Sequence, residues 1–205
     1  MSYPVISNHH PLILASESPR RRRLLTQIHL PFRVASGHVH EEETGDKPTE
    51  VCRRLAEKKA LQVYSLSDRS WVLGADTLVV LGDRVLGKPR DEADAGTMIS
   101  LLSGKEHAVV TGFCVLDPSG RPVHSEAVST AVRFKPLDDR EIEAYIRTGE
   151  PFGKAGAYAI QGIGAFMVES ISGSYTNVVG LPVCAVVKAL IRVAAIQRFP
   201  LNPSQ

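Results

Sequence analysis

The sequence is poor in the features that mark several specialised classes of protein. Its 205 residues include three cysteines, Cys52, Cys114 and Cys184, with no Cys-X-X-Cys pair and no histidine at zinc-finger spacing. Neither a disulfide framework nor a structural zinc site is therefore indicated, and a reducing compartment fits best. The seven histidines show no ligand spacing, which argues against a zinc hydrolase.

Long apolar runs and a large net charge are also missing. Nowhere do about 18 apolar residues follow one another, and residues 1–10 have no basic start before an apolar stretch. We therefore expect a cytoplasmic chain without a membrane partner. The net charge of +2 is far from the strongly basic balance of nucleic-acid-binding domains. Nucleic acid is accordingly disfavoured as a partner, and any anion site should be local.

Two common nucleotide-binding motifs are absent as well. The sequence has no Gly-X-X-X-X-Gly-Lys-Ser/Thr loop. The glycines near Gly162 and Gly164 lack the strand-then-helix context of a dinucleotide-binding fingerprint. Neither a P-loop nor a Rossmann site is indicated.

The apolar and turn patterns predict a mixed chain of strands and helices. We predict strands at residues 12–15, 71–73, 78–81, 85–86, 108–116 and 128–134. Residues 33–48 are predicted to form a loop, and helices are predicted at residues 19 onward, 49–60, 92–102, 138–147 and 182–195. These elements favour an α/β fold, or α+β with a largely antiparallel second half, and the length allows one large domain or two small lobes. We also expect a cleft between two lobes and a frayed tail after Phe199.

The segment 16–21, Ser-Glu-Ser-Pro-Arg-Arg, is the sharpest local signal. A strand ends there, Ser18 can cap a helix whose first position is Pro19, and the backbone amides at the helix start are free. Free amides, hydroxyl groups and guanidinium groups together bind phosphate well. The alternative is a capped helix with a solvated basic face, which is how we interpret Arg22 and Arg23.

Asp76 is the second signal, since it lies inside an apolar stretch beside glycine. A buried carboxylate is costly unless it binds a metal, a cation or a hydrogen-bond donor. The neighbouring Glu41 to Glu43 can help to hold a hard divalent ion, and Lys59 and Lys88 can neutralise phosphate charge. Each also has a structural explanation: Asp76 as an aspartate that accepts backbone amides at a turn, the glutamates as a solvated acidic loop, and the two lysines as surface charges.

Taken in order, the motifs resemble those of the Maf family of nucleotide pyrophosphatases. The resemblance covers roughly residues 12–195 and rests on segments 14–21, 55–60, 74–77, 87–89, 102–107, 111–112, 154–162 and 173–182. It implies an elongated α/β fold shared with the inosine triphosphate pyrophosphatases, with a mixed sheet, flanking helices and two lobes around a central cleft. It also implies Mg²⁺ or Mn²⁺ as the cofactor and a homodimer.

The resemblance also assigns roles to individual residues. Asp76 matches the catalytic aspartate and a metal ligand. Glu41 most nearly matches the acidic metal-binding residue, with Glu42 as the alternative, because the sequence has His40 where the family often has aspartate. The residues that match the phosphate-binding positions are Ser16, Arg21, Lys59 and Lys88.

Three further positions match the branch of the family that cleaves dTTP and UTP, namely Arg20, Thr77 and Gln161. The 7-methyl-GTP branch carries tryptophan, glutamine and glutamate there. A glutamine amide can donate to a pyrimidine O4 and accept from N3–H, whereas a glutamate only accepts. The resemblance thus implies hydrolysis of dTTP or UTP, or of a modified pyrimidine triphosphate, to the monophosphate and pyrophosphate.

Two alternatives stay open at this point. One is an enzyme of the same fold that acts on another modified nucleotide, such as 7-methyl-GTP. The other is a non-catalytic regulator of cell division that binds nucleotide, nucleic acid or a protein. The intact set of Asp76, Lys59 and Lys88 argues against the second, since a pure binder would not need it.

Overall fold

The computed structural model describes residues 3–35, 37, 47–65 and 69–201. Its helices are α1 (Pro19–Gln27), α2 (Pro48–Tyr64), α3 (Glu92–Leu102), α4 (Asp139–Arg147), α5 (Tyr175–Val179) and α6 (Val183–Arg192). Its strands are β1 (Leu12–Ala15), β2 (Phe32–Ala35), β3 (Val72–Leu81), β4 (Arg84–Leu86), β5 (Glu106–Leu116), β6 (Pro122–Phe134) and β7 (Val168–Ser172). Two short 3₁₀ segments, Ala155–Ala157 and Ile163–Met167, precede β7.

The described strands form one seven-stranded mixed sheet in the order β2-β1-β3-β5-β6-β7, with β4 paired to β3. Strand β1 pairs in parallel with β2 and β3, whereas the pairs β3–β4 and β6–β7 are antiparallel. Parallel neighbours require long crossover connections, which α1 and α2 provide. The predicted α/β class, with a mixed sheet and flanking helices, is confirmed.

The chain divides into two compact units. The first comprises Met1–Asp76, Thr111–Val128 and Gly180–Gln205, and the second comprises Thr77–Val110 and Ser129–Val179. Strands β3, β5 and β6 each contribute residues to both units. The boundary on β3 falls between Asp76 and Thr77, two residues to which the sequence assigns functional roles.

In the first unit, helix α2 lies unusually close to the sheet. Its alanines Ala56 and Ala60 are fully buried in a cluster with Val72 of β3. A Cβ atom added to Gly74 would lie 2.1 Å from the carbonyl oxygen of Ala56, and one added to Gly112 would lie 2.3 Å from the carbonyl carbon of Cys52. Glycine on the strands and small residues on the helix therefore permit this close approach.

In the second unit, α3 and α4 pack into an apolar cluster together with residues of β3, β5 and β6. Helix α4 begins with a capping box: the Asp138 carboxylate accepts from the Glu141 N–H at 2.8 Å, and the Asp138 N–H donates to the Glu141 carboxylate at 3.2 Å. These reciprocal bonds satisfy two backbone donors at the helix start and fix where α4 begins.

The structure corrects three details of the sequence-based assignment. Strand β3 is continuous through Asp76, whereas an interruption at residues 74–77 was predicted. The predicted loop of residues 33–48 contains most of β2, whose side chains are half-buried or exposed, so no apolar alternation marks it. Helix α2 begins at Pro48, one residue before the predicted start, and has Lys47 at its N-cap. The described residues do not include residues 36 and 38–46 of that loop or residues 202–205 of the tail.

Among the described residues, no helix is both long enough and apolar enough to cross a membrane. Cys52 and Cys114 are buried, Cys184 is exposed, and all three are free thiols. Burial raises the pKa of the Cys114 thiol to about 12, since the apolar surroundings disfavour the thiolate. Cys114 is thus a packing residue of the first unit.

The buried histidine of the second unit predicts a loss of stability in acid. His107 is 3% exposed, its Nε2 lies 2.8 Å from the Tyr158 hydroxyl, and its ring packs against Phe134. Burial lowers the pKa of His107 from 6.5 to about 4. The unfolded chain therefore takes up this proton at a higher pH than the folded chain. The free energy of unfolding should fall by about 2 kcal/mol between about pH 7.5 and pH 5 through this residue.

Urea unfolding of the wild type and of His107→Gln at several pH values measures this contribution. Glutamine retains a group that can bond Tyr158 but does not titrate, so the difference in unfolding free energy between the two proteins should shrink as the pH falls. A difference independent of pH would contradict a buried, neutral His107.

Candidate functional site

The turn between β1 and α1 fixes an arginine at the end of a parallel strand. Arg21 and Ser16 are each only 9% exposed. The Nε of Arg21 donates to the carbonyl oxygen of Gly180 at 2.8 Å, and its Nη1 donates to Ser16 Oγ at 2.9 Å. The guanidinium group is therefore held at this turn. The structure brings together the predicted phosphate-binding residues Ser16 and Arg21.

Ser16 is prepared to donate a hydrogen bond. Its Oγ accepts from Arg21 and also from the Ser18 N–H at 3.3 Å. A hydroxyl has two acceptor lone pairs and one donor, so these two bonds leave the O–H as the group that can donate. A phosphate oxygen is a suitable acceptor for it.

The first turn of α1 suits an anion. Ser18 occupies the N-cap as predicted, but its side chain makes no capping bond, and the first turn of this fully described helix carries no acidic residue. Arg20 is half-buried, and burial lowers the pKa of its guanidinium group. Arg22 and Arg23 are exposed, in agreement with their interpretation as a solvated face. Unneutralised amides at a helix start attract negative charge.

Asp76 forms a buried ion pair with Lys59. The aspartate lies on β3 and is 6% exposed, and the Lys59 ammonium of α2 donates to its Oδ1. The side chain of Lys59 is 19% exposed. An ionised carboxylate is expensive to bury without such a partner. Lys59 therefore explains how a charged residue is accommodated inside a buried strand.

Strand pairing places these two groups on neighbouring strands. In the parallel register of β1 and β3, Ala15 is opposite Gly74. Ser16 and Asp76 follow these residues by one and two positions. The Ser16–Arg21 turn thus begins where β1 ends, and Asp76 lies on the neighbouring strand β3, both in the first unit.

The other predicted site residues belong to the second unit. Thr77 follows Asp76 on β3 and is half-buried, with its Cβ on the opposite face of the strand. Lys88 is exposed after β4, where the Gly87 carbonyl accepts from the Gly156 N–H at 3.0 Å. Gln161 is half-buried, and its Oε1 is buried without a hydrogen-bond partner among the described residues.

An unpartnered buried amide oxygen is costly, and a donor from a ligand or a water molecule can complete the bond. This observation on Gln161 is independent of the resemblance that first singled the residue out.

The metal prediction concerns residues that are only partly described. Glu41 and Glu42 lie outside the described residues. In the described part of the chain, no group of three or more His, Cys, Asp or Glu side chains could hold a metal ion. Of the residues that the resemblance matches to the metal site, the structure describes Asp76.

The sequence matches the family of Maf-like proteins over residues 11–193, nearly its whole length. The chain belongs to the Maf family. Two curated relatives, each named dTTP/UTP pyrophosphatase, come from Syntrophotalea carbinolica and Geotalea uraniireducens. The first is 49% identical over 92% of this chain and 87% of the relative, and the second is 52% identical over 91% and 96%.

A solved structure is also similar to this Maf-family chain, the nucleoside-triphosphatase / dITP/XTP pyrophosphatase from Mycobacterium abscessus. It is 13% identical and covers 94% of this chain and 100% of its own, with a TM-score of 0.43. A TM-score this low supports no conclusion about the fold.

Sequence reasoning missed two features around the predicted site residues. The carbonyl of Gly180 anchors Arg21 across 159 positions, a contact for which no local pattern exists. The hydrogen bonds from the Ile163 and Gly164 N–H groups to the Glu150 carboxylate, just after Gln161, were not foreseen either. The glycines at positions 162 and 164 were the available signal of a close backbone contact, but their spacing argues only against a dinucleotide-binding site.

Proposed function

We propose that this chain hydrolyses dTTP and UTP to the nucleoside monophosphate and pyrophosphate. The observation that carries the proposal is that two groups lie on neighbouring strands of the sheet, one where β1 ends and the other on β3. One group, Ser16 with Arg21, suits phosphate, and the other, Asp76 with Lys59, offers a carboxylate for an attacking water. The names of the relatives at about 50% identity support the substrates.

The proposed reaction is the attack of water on the α-phosphorus. Asp76 orients the water and accepts its proton, for which a strand fixes the carboxylate and Lys59 holds its Oδ1. Arg21, Ser16 and the amides at the start of α1 bind phosphate oxygens and stabilise the charge that develops on them. Lys59 can then turn from Asp76 towards the phosphates, and Lys88 keeps the phosphate-binding role that the family resemblance implies.

A divalent cation, Mg²⁺ or Mn²⁺, is part of this proposal. Carboxylate oxygens together with triphosphate oxygens are the ligands that such hard cations prefer. Asp76 would hold the ion, with Glu41 or Glu42 as the further carboxylate. When bound, the cation neutralises charge on the phosphates and favours departure of pyrophosphate.

Base selection is assigned to Arg20, Thr77 and Gln161. The unpartnered Oε1 of Gln161 supports this assignment, because the N3–H of thymine or uracil is a donor of the kind that it lacks. A cytoplasmic location, expected from the composition, and a homodimer, implied by the family resemblance, stay predictions.

A panel of canonical and modified triphosphates, assayed with Mg²⁺ or Mn²⁺, tests the proposal. We expect kcat/KM for dTTP and UTP to exceed that for purine triphosphates by about 10²-fold or more, since a site built to bond one base edge leaves polar groups unpaired against another. Pyrophosphate should be the first product. Orthophosphate as the first product, or a preference for 7-methyl-GTP, would contradict the proposal.

A further inference from the structure

Two side chains bond the backbone on both sides of Gln161, one near the end of α4 and the other three residues beyond it. The Tyr145 hydroxyl accepts from the Ala159 N–H at 3.2 Å. The Glu150 carboxylate accepts from the N–H of Ile163 at 3.0 Å through Oε2 and from that of Gly164 at 2.8 Å through Oε1. The backbone is therefore bonded on both sides of Gln161, two residues before it and two and three residues after it.

The two side chains are also bonded to each other. The Tyr145 hydroxyl donates to Glu150 Oε1 at 3.0 Å. Tyr145 is 1% exposed on α4, and the Lys154 ammonium donates to the Glu150 carbonyl oxygen. Tyr145 and Glu150, which we call the clasp, thus form one connected network whose position is set by α4. Such connected networks hold a segment more firmly than isolated bonds.

Glycines permit the approach of the segment to the clasp. Gly162 has φ of +101°, and a Cβ atom there would lie 2.4 Å from Glu150 Oε2. A Cβ atom at Gly164 would lie 2.7 Å from the Tyr145 hydroxyl oxygen. Side chains at either position would push the segment away from the clasp.

The Glu150 carboxylate is suited to accept all three bonds. Burial by itself would raise the pKa of Glu150. The hydrogen bonds from the Gly164 and Ile163 N–H groups and from the Tyr145 hydroxyl outweigh burial and leave the pKa below its ordinary value. The group is ionised at neutral pH and offers only acceptors. Each of the three groups that donate to Glu150 therefore has an acceptor oxygen.

We propose that Tyr145 and Glu150 are positioning residues that fix the backbone around Gln161 and thereby set the base selectivity of the enzyme. This inference rests on the proposed function, because it concerns how the same enzyme recognises its base. Neither residue touches the phosphates in this scheme. Their effect reaches the substrate through the orientation of the Gln161 amide.

The variants Tyr145→Phe and Glu150→Gln test the inference. Phenylalanine removes the acceptor for Ala159, and glutamine has an amide end that cannot accept, so one backbone N–H loses its partner. Each change should raise KM for dTTP about tenfold, with kcat changed less than about threefold, because one orienting hydrogen bond is lost and the cleavage machinery is intact. The ratio of kcat/KM for dTTP to that for dGTP should fall about tenfold.

Matched controls separate positioning from general loss of stability. Tyr64→Phe removes a hydroxyl that donates to the Pro118 carbonyl at 3.1 Å in the first unit, and Glu141→Gln weakens the capping box of α4. Both should retain the selectivity ratio of the wild type. Hydrogen exchange of a peptide that covers residues 155–165 should accelerate in the two clasp variants and not in the controls.

The outcomes are distinguishable from those that test the proposed function. A wild type that prefers pyrimidines, together with clasp variants of unchanged selectivity, would overturn the inference and leave the proposed function standing. A wild type without pyrimidine preference would overturn both. Equal loss of selectivity in the clasp variants and the controls would also reject a positioning role.

Discussion

Replacement of Asp76 by asparagine is expected to lower the rate of pyrophosphate release from dTTP by about 10²–10⁴-fold, the contribution typical of a positioned acid or base. Asparagine has nearly the same shape, so strand β3 and its contact with α2 should persist. It carries no charge and cannot accept a proton from water. Steady-state turnover, with circular dichroism and thermal unfolding to confirm the fold, provides the measurement.

The matched control for this change is Asp83→Asn. Asp83 lies in the exposed turn between β3 and β4, and it loses the same charge at a position without a proposed role. Its turnover should equal that of the wild type. Near-normal turnover of a folded Asp76→Asn protein would remove Asp76 from the mechanism.

Substitution of alanine for Gly74 is expected to destabilise the protein by about 3 kcal/mol or more, at the upper end of the usual cost of an overpacked core. The added methyl group would lie 2.1 Å from the Ala56 carbonyl oxygen, a backbone atom of α2 that cannot rotate away. Relief requires α2 to move from the sheet. Since α2 carries Lys59, we also expect reduced turnover in the folded fraction.

Gly112→Ala should behave in the same way, because its methyl group would meet backbone atoms of Cys52 at 2.3–2.5 Å. Gly87→Ala is the control for stability: no atom lies within 4 Å of its added Cβ, so the change should cost less than about 0.5 kcal/mol. Urea unfolding compares the three variants. Similar stabilities for all three would show that the contact between α2 and the sheet is not as close as described.

Elements with local signals were predictable from the sequence. The Pro19 start of α1 and the helix predicted at residues 138–147 each depend on signals within a few positions, and each prediction is confirmed. Strand β2 was missed because its half-exposed residues show no alternation. The interruption predicted in β3 was wrong because Gly74 and Asp76 are unusual in a strand. Gly74 is required by the close approach of α2, and Asp76 is stabilised by Lys59, and neither contact is visible in the local sequence.

The candidate site shows the same difference between residues with a local sequence signal and contacts that only the fold reveals. The cost of burying Asp76 predicted a partner, but only the fold identifies that partner as Lys59. The free amides after Ser16 were visible in the sequence, whereas the Gly180 carbonyl that holds Arg21 was not. For Gln161, the family resemblance supplied the position and the structure adds the unpartnered oxygen and the clasp.

The boundary on β3 between Asp76 and Thr77 has a consequence for how such enzymes can diverge. A residue proposed for chemistry and one proposed for choice of base are joined by a single peptide bond, yet their side chains leave the strand on opposite faces. A substitution at Thr77 therefore alters the face of β3 opposite the one on which Asp76 contacts Lys59. Gene duplicates could exchange one nucleotide for another while they inherit an unchanged hydrolytic carboxylate.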